Sequence, residues 1–538
     1  MDSDFEGDNE PEYMVNELEP GSYSLTVKGL STITSELYSF AAKNIVHLSL
    51  DYNDIAEIPS DLCDNLRSIE VFSAKGNALE SLPANISNLK LLKKLFLSEN
   101  KISSLSNSFC HLQLLETIDL QGNKLLALPE QFGSLCNLKE LHLDENQLEQ
   151  LPEGFASLSK LEILEIGFNK LASLPSEFGS LRSLGVLNLI KNRLNELPSS
   201  FSQLPKLKIL DLTDNLLTHL PQNFASSTTL AKLIIDDNSL ESLPPWFQEM
   251  PQLLELSLKN NNLRGKPIND TFGKVSKRLV CFDISGCYFE ELPESLSECK
   301  ELEFIDIGSS LYEPERKKNL RNGNNIEILP NNFGLFFNNM KELYLDECQI
   351  KELPECFGHS LQNVETLNLY MNDLRTLPDS FCSMSKLKTC ILSFNCLKYL
   401  PENIGKLQSL EELRLDSNLI ASMVINISTE VSREVLRNLE NALKAGAEKW
   451  NRPEKIDFSF NNCNGKSYIF PSLDDSWEED PFDFSISSVK ETRKNAHESF
   501  DAWFKTVEAG CPAKYHAKPL RKMMKKSHVE EGQFDDAD

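Results

Sequence analysis

The segment Leu210-Asp-Leu212-Thr-Asp-Asn215, followed by Leu217-Thr-His-Leu220-Pro221 and Phe224, decides the fold, because the same frame recurs along most of the chain. Between residues 118 and 267, seven asparagines are spaced 23 residues apart: Asn123, Asn146, Asn169, Asn192, Asn215, Asn238 and Asn261. A fixed period of this length predicts stacked repeat units, each too small to bury its own apolar face alone.

Each position of the frame predicts a structural role. The alternation in Leu210-Asp-Leu212 indicates a short strand with one buried face. The amide of Asn215 can donate and accept hydrogen bonds, so it can satisfy the backbone groups of the turn that follows the strand. The Leu-Pro step ends the strand, since proline has no N–H to donate. A column of phenylalanines is expected to fill the convex side: Phe132, Phe155, Phe178, Phe201, Phe224 and Phe247.

The frame L-x-x-L-x-L-x-x-N-x-L resembles the leucine-rich-repeat signature. The predicted fold class is therefore α/β: a leucine-rich-repeat solenoid, or horseshoe, of about 17 repeats with a parallel sheet on its concave face. The repeat form L-P-x-x-F-x-x-L-x-x-L, as in Leu197 to Leu207, resembles intracellular Ras-pathway leucine-rich scaffolds, plant intracellular Ras-group repeat proteins and the repeat domains of Scribble and Erbin. That resemblance covers residues 45–425 and implies a small GTPase or a phosphatase as partner.

Changes in composition and period predict the organisation of the chain. The predicted segments are an acidic disordered tail at 1–20, an N-terminal cap at 21–45, leucine-rich repeats at 46–425 with an insertion at 309–323, a C-terminal cap at 426–470, an acidic linker at 471–487, an amphipathic helix at 488–509 and a charged tail at 510–538. A longer helix at 429–447 and a last strand from Ile456 are expected within the C-terminal cap. The insertion carries four basic residues, and it is interpreted as a tolerated surface loop or as a clasp for a partner.

The net charge of −27 over 538 residues disfavours nucleic acid and anionic membranes as partners and favours basic proteins. The 13 cysteines are scattered rather than clustered at the ends of the repeat array, which indicates reduced thiols and an intracellular protein. No secretory signal or membrane span is expected. A cytoplasmic location is predicted, with a nuclear one as the alternative because of the basic cluster at 518–526.

No motif in the chain predicts chemistry. Gly465-Lys-Ser467 resembles the end of a phosphate-binding loop, but the glycine required five residues earlier is Phe460. Cys511, His516 and His528 match no standard metal-site spacing. The expectation is therefore a protein that is not an enzyme, with no cofactor, no metal and no small-molecule substrate.

The remaining candidate is the concave face, where the outward side chains are expected at four, two and one positions before each asparagine. This reading predicts an acidic field beside an exposed aromatic patch, with the acids steering a partner and the aromatic residues anchoring it. The predicted partner-binding residues are Asp144, Glu145, Glu165, Asp211, Asp214, Asp236, Asp237, Tyr344, Tyr370, Met371, Phe394 and Arg414.

The predicted function is a non-catalytic scaffold or adaptor in intracellular signalling that binds a protein partner on this face. Two alternatives stay open at the level of sequence: a regulator or inhibitor of a partner enzyme, and an acidic binder of basic proteins such as histones. A binder of basic proteins should associate in a strongly salt-dependent way, whereas a scaffold should form a defined complex.

Overall fold

The computed structural model describes residues 16–17, 21–33, 45–224, 228–309, 323–415, 418–419, 423–427, 456–460 and 468–469. The predicted helices at 429–447 and 488–509, the acidic linker and the charged tail lie outside the described residues, as do residues 310–322 of the predicted insertion.

Short strands, one per repeat, form a single large sheet. Its strands are β1 (Asn16–Glu17), β2 (Ser22–Ser24), β3 (His47–Ser49), β4 (Val71–Ser73), β5 (Lys94–Phe96), β6 (Thr117–Asp119), β7 (Glu140–His142), β8 (Ile163–Glu165), β9 (Val186–Asn188), β10 (Ile209–Asp211), β11 (Lys232–Ile234), β12 (Glu255–Ser257), β13 (Cys281–Asp283), β14 (Phe304–Asp306), β15 (Glu342–Tyr344), β16 (Thr366–Asn368), β17 (Thr389–Ile391) and β18 (Glu412–Arg414). From β2 to β18 every strand pairs in parallel with the next, which gives the predicted leucine-rich-repeat solenoid and its repeat number.

A second, small sheet follows the last repeat. It comprises β19 (Met423–Ile427), β20 (Ile456–Phe460) and β21 (Tyr468–Ile469), with β19 and β20 parallel and β21 antiparallel to β20. The strand expected from Ile456 is thus β20.

The convex side consists mainly of 3-10 turns rather than α-helices. The α-helices of the described residues are α1 (Ser60–Asn65), α2 (Phe272–Val275) and α3 (Phe357–Ser360). The 3-10 turns are Ile86–Asn88, Asn107–His111, Phe132–Ser134, Glu153–Ser157, Phe178–Ser180, Ser199–Gln203, Pro245–Gln248, Glu294–Glu298, Asp379–Ser383 and Ile404–Lys406. A 3-10 turn spans fewer residues than an α-helix, which suits a repeat of only 23 residues.

The leucine and phenylalanine columns form one continuous core. Leu210 and Leu212 are 2 % and 0 % exposed, as the period-two alternation predicts. The phenylalanines stack along the convex side, with ring centroids 6.2 Å apart between Phe132 and Phe155 and 6.1 Å apart between Phe178 and Phe201. Each repeat therefore buries its apolar face against its neighbours.

The asparagine column joins consecutive repeats. In one instance, the Nδ2 atom of Asn169 donates to the carbonyl oxygens of Ile166 in its own repeat and Leu143 in the preceding one, at 3.2 and 2.9 Å. Its Oδ1 atom accepts the N–H of Leu148, also from the preceding repeat, at 2.9 Å. The side chain thus satisfies buried backbone groups on both sides of a repeat boundary, as predicted.

Cysteine occupies the asparagine position in two repeats, as the sequence indicates. The thiol of Cys287 donates to the carbonyl of Leu258 at 2.8 Å, and that of Cys348 donates to the carbonyl of Ile307 at 3.1 Å. After β14 the position is filled by Asn324, whose Nδ2 donates to the carbonyl of Ile307 at 2.7 Å. Asn324 follows Ile305 by 19 residues, whereas Asn215 follows Leu210 by five, so the insertion separates a strand from its own asparagine.

The turns on the convex side alternate between a short and a long form. A short turn begins at the phenylalanine, as at Phe178, and a long turn begins two residues earlier, as at Ser199. The glycine after the short turn's phenylalanine lies against the long turn: the N–H of Gly179 donates to Oγ of Ser200 at 3.1 Å. The same contact joins Gly273 to Ser295 and Gly358 to Ser380. We call two repeats joined in this way a repeat pair.

The first strand corrects one sequence-based expectation. Asn16–Glu17 were assigned to a disordered tail, but they form β1, which pairs antiparallel with β2 in the register Asn16↔Ser24. A solenoid leaves the backbone groups of its first strand unpaired, and an additional antiparallel strand covers them.

Candidate protein-binding face

We define the concave face as the outward side chains of β2 to β18 and of the residues that follow each strand. Because strand residues alternate, these side chains stand six, four and two positions before the asparagine, and the residue one position before it joins them. The predicted site residues all lie on this face, but they form two separate groups. The acids lie on or just after β7 to β11. The aromatic residues, Met371 and Arg414 lie on or just after β15 to β18, with β12 to β14 between the two groups.

The aspartate or asparagine four positions before the repeat asparagine accepts a hydrogen bond from the backbone of its own turn. Oδ1 of Asp211 accepts the N–H of Thr213 at 2.9 Å and the Thr213 hydroxyl at 2.6 Å. Asp119, Asp283 and Asp306 accept the equivalent N–H, and Asn188 and Asn368 do the same with an amide oxygen. Because a neutral amide can replace the carboxylate at this position, the charge is not required. The side chain satisfies a backbone N–H of the turn whether or not a protein partner is bound.

Aspartate two positions before the asparagine bonds the next repeat instead. Oδ1 of Asp144 accepts the N–H of Gly167 at 2.6 Å, and Oδ1 of Asp236 accepts the N–H of Lys259 at 3.0 Å. The two donors, Gly167 and Lys259, lie in repeats that have Glu165 and Ser257, rather than Asp or Asn, four positions before the asparagine. Much of the acidic field therefore satisfies backbone donors.

The residue immediately before the asparagine adopts a left-handed backbone. The φ angles of Glu145, Asp214, Asp237, Met371 and Phe394 are 54°, 55°, 52°, 54° and 57°. A residue with a Cβ atom pays about 1 kcal/mol for this conformation. The turn is held by the asparagine that follows, so these five side chains project from a fixed backbone.

Tyr344 is the clearest correction to the predicted site. It was expected in an exposed aromatic patch, but it is 0 % exposed. Its ring lies 5.7 Å from that of Phe304, and its hydroxyl donates to Glu342 at 2.9 Å. Asp144 and Glu165, also expected to be exposed, are buried as well, with exposed fractions of 2 % and 7 %.

Tyr370, Met371 and Phe394 form a compact group, which we call the aromatic cluster. The rings of Tyr370 and Phe394 meet edge to face with centroids 5.3 Å apart, and both are partly exposed. Met371 is 52 % exposed. Arg414, on the next strand, donates from Nε to Glu412 at 2.6 Å. Large apolar side chains with a rigid mutual arrangement are typical anchors of protein interfaces.

His142, Asp144 and Glu165 form a polar group on β7, just after it and on β8; the two carboxylates are buried and His142 is partly exposed. Nδ1 of His142 lies 2.7 Å from Oε2 of Glu165. Burial lowers the pKa of His142, but the hydrogen bond to Glu165 and the negative charges of Glu165, Asp119 and Asp144 leave its pKa above the usual value. Burial and the Glu165 charge raise the pKa of Asp144. Both groups thus bind a proton more tightly in the folded state.

This arrangement predicts that stability falls as pH rises above 6. The contribution of His142 is complete below its unfolded-state pKa of about 6.5 and is lost as pH rises through the raised folded-state pKa. The raised pKa of Asp144 acts in the same direction. We expect His142→Gln to reduce the loss of unfolding free energy between pH 6 and pH 8 by about 1 kcal/mol. Urea denaturation at both pH values measures this loss, and the exposed His111→Gln variant is the control. An equal change of unfolding free energy between the two pH values in both variants would contradict the assignment.

One outward column was missed at the level of sequence, because only positions four, two and one before the asparagine were considered. The position six before it also points outward. There Ile163, Val186 and Ile209 are direct neighbours on β8, β9 and β10, and all three are partly exposed. Extending the period-two alternation by one step would have found them.

A row of alternating charges runs along the edge where the strands begin, seven positions before each asparagine. Nζ of Lys93 lies 2.7 Å from Glu70, and Nζ of Lys139 lies 2.7 Å from Glu116. Further along, Lys341 pairs with Glu303 and Lys388 with Glu365, both at 2.6 Å. We call this row the edge ladder. Between β9 and β13 its positions hold Gly185, Lys208, Ala231, Leu254 and Val280, so the alternation stops there.

The described part of the chain holds neither a helix suited to crossing a bilayer nor a cluster of metal-ligating side chains. Within those ranges, no helix combines the length and the apolar character needed to cross a bilayer. No group of three or more His, Cys, Asp or Glu side chains in the same ranges is placed to hold a metal ion.

Comparison with known proteins agrees with this architecture. Residues 85–270 match the family model described as a leucine-rich repeat region. No curated protein matches the chain in sequence. A leucine-rich repeat protein of Leptospira interrogans is 27 % identical with a TM-score of 0.59, over 78 % of this chain and 93 % of that one.

Two plant receptors share the fold at lower identity. The Arabidopsis receptor kinase HAESA, solved in complex with a peptide hormone and a co-receptor, is 20 % identical with a TM-score of 0.58, over 81 % of this chain and 78 % of that one. A plant peptide hormone receptor, RGFR1, is 23 % identical with a TM-score of 0.55, over 82 % and 79 %. The chain thus contains a leucine-rich repeat region and has the leucine-rich-repeat fold. Solenoids of this kind present extended binding surfaces, which points to a role in protein–protein interaction.

Proposed function

We propose that this protein is a non-catalytic scaffold or adaptor in intracellular signalling, and that it binds a protein partner on its concave face. The observation that carries the proposal is the aromatic cluster, where Met371 is 52 % exposed beside the Tyr370–Phe394 pair. An apolar group of this kind, held on a rigid backbone at the end of two strands, can bury against a partner with little loss of conformational entropy.

The class of partner follows from the repeat form, whose resemblance to Ras-pathway scaffolds favours a small GTPase or a phosphatase. The acids support this proposal less than the aromatic cluster does, because Asp144, Asp211 and Asp236 already bond backbone donors. Exposed Glu145 and Asp214 remain available to steer a partner of opposite charge.

Affinity purification with mass spectrometry tests the proposal. The variant is Met371→Asn with Phe394→Asn, since asparagine tolerates the left-handed backbone of both positions. The matched control is Leu126→Asn with Leu216→Asn, two leucines that are each 57 % exposed and lie after the asparagine, off the concave face. Tyr344 is left intact because it is buried.

We expect one defined partner that survives raised salt, is lost in the Met371/Phe394 variant and is retained in the control. Partners that both variants retain and that raised salt removes would contradict the aromatic site and favour an acidic binder of basic proteins instead. If the captured partner is an enzyme, its turnover with and without this protein separates a scaffold from a regulator.

A further inference from the structure

Three β-branched aliphatic side chains lie side by side at the middle of the concave face. Ile163, Val186 and Ile209 are in register across β8, β9 and β10, and each is partly exposed. We call this row the aliphatic strip. The outward column of the flanking strands is charged, with Glu140 on β7 and Lys232 on β11. An apolar row bounded by charges is the arrangement expected of the centre of an interface.

Gly185 borders the strip, and the fold does not explain why it is glycine. Its φ angle is outside the left-handed region, and a Cβ atom placed there would meet nothing closer than the carbonyl oxygen of Glu162, at 3.7 Å. Neither backbone conformation nor packing therefore requires a glycine. Gly185 thus leaves the edge of the sheet without a side chain next to the strip, at the point where the edge ladder loses its alternating charges.

The charges at the two ends of the strip are opposite. Glu140 and Glu162 lie at the β7–β8 end. Lys208 lies at the β10 end, where it is exposed, and its neighbours along the edge ladder are the uncharged Gly185 and Ala231. Among the described residues Lys208 forms no ion pair. A ligand along the strip therefore meets negative charge at one end and positive charge at the other.

The distance between the side chains of the strip determines which backbone conformation of a ligand can match it. Neighbouring strands are about 4.8 Å apart, so the three side chains span about 10 Å across the sheet. On an α-helix, residues i and i+7 are separated by about 10.5 Å along the axis, with i+3 or i+4 between them. On an extended chain, three side chains of one face span about 13 Å. A helix lying across the strands matches the strip, and an extended segment does not.

We propose that Ile163, Val186 and Ile209 form a docking site for an amphipathic α-helix of a protein partner, which presents aliphatic side chains at i, i+4 and i+7. The N-terminal end of the helix lies over Glu140 and Glu162, and its C-terminal end lies over Lys208. This direction agrees with the helix dipole, whose positive end is the N-terminus. The inference rests on the proposed function, since it names the class of partner that the concave face binds.

A defined probe tests the site on the full chain. It is a fluorescein-labelled, lactam-bridged helical peptide with leucine at i, i+4 and i+7, and binding is followed by fluorescence anisotropy. We expect it to bind at least about 10-fold more tightly than the same peptide with serine at those positions. Gly185→Glu should weaken binding by at least about 10-fold, because the new side chain adds bulk and negative charge beside the strip. The urea concentration at the midpoint of unfolding should be the same for Gly185→Glu as for the wild type. The exposed Leu216→Ser variant serves as the control for binding.

The direction of the helix has its own test. Lys208→Glu should weaken binding of a peptide that carries glutamate in its last turn, and a peptide with lysine at that position should restore it. Equal binding of the leucine and serine peptides, or wild-type binding by Gly185→Glu, would overturn the docking site. Tighter binding of a proline-containing extended peptide would overturn the helical occupant. If the wild-type protein does not bind the leucine peptide but still captures a partner through the aromatic cluster, this inference is rejected and the proposed function stands.

Discussion

Gly179→Ala is expected to lower the free energy of unfolding by about 3 kcal/mol or more. A Cβ atom at this position would lie 1.8 Å from the carbonyl oxygen of Ser200 and 2.5 Å from its carbonyl carbon. Both atoms belong to backbone, so the two turns of the repeat pair must move apart to make room. The hydrogen bond from Gly179 to Ser200 Oγ, now 3.1 Å, would be lost in that movement.

Urea denaturation followed by circular dichroism measures the effect, and hydrogen exchange shows whether the loss of protection centres on residues 178–203. The matched control is Gly185→Ala, six residues away in chain order, where the nearest atom to the added Cβ is at 3.7 Å. That variant should be unchanged or more stable by less than about 1 kcal/mol, since alanine restricts the unfolded chain. Equal midpoints for the two variants would show that close packing of the repeat pair does not limit stability.

Asn169→Ala is expected to cost about 3–5 kcal/mol. The amide donates to the carbonyl oxygens of Leu143, Ile166 and Gly167 at 2.9, 3.2 and 2.9 Å, and it accepts the N–H of Leu148 at 2.9 Å. Alanine leaves these backbone groups buried without that partner. Because they belong to two repeats, the substitution weakens a repeat boundary rather than a single turn.

Two further variants separate the role of the hydrogen bonds from the loss of side-chain volume. Asn169→Cys should be less damaging than alanine, because Cys287 and Cys348 fill the same position elsewhere and donate to a carbonyl of the preceding repeat. Asn137→Ala removes an amide that is less buried and bonds Gln113, and should cost less than about 1 kcal/mol. If Asn169→Ala and Asn137→Ala had the same free energy of unfolding in urea denaturation, the asparagine column would not hold neighbouring repeats together.

The repeat period was sufficient to predict the strands, their parallel order and the asparagine positions. Each of these depends on local sequence and on identical neighbours. The same frame also located Cys287 and Cys348, because a thiol can replace the donor that the turn requires. The insertion was recognisable from the interval between Ile305 and Asn324, which no other repeat shows.

The exposure of side chains on the concave face could not be read from the period. Alternation gives the direction of Tyr344, but its burial depends on contacts with residues of other repeats, such as Phe304. The backbone role of Asp211 and Asp236 was missed for a related reason, since a carboxylate that bonds a turn looks the same in sequence as one that waits for a ligand. The aliphatic strip could have been predicted from the sequence, because Ile163, Val186 and Ile209 share one position of the repeat.

The alternation of short and long turns sets a rule for how such a chain can lengthen or shrink. The gain or loss of one 23-residue unit would place two turns of the same form against each other, whereas a change of two units would preserve every Gly–Ser contact. Among the turns that the structure describes in full, one unit breaks the alternation: the repeat of Phe333 lies between the pair joined by Gly273 and Ser295 and the pair joined by Gly358 and Ser380. It directly follows the insertion before Asn324, so these two irregularities of the array share one place, where a duplication out of phase is tolerated.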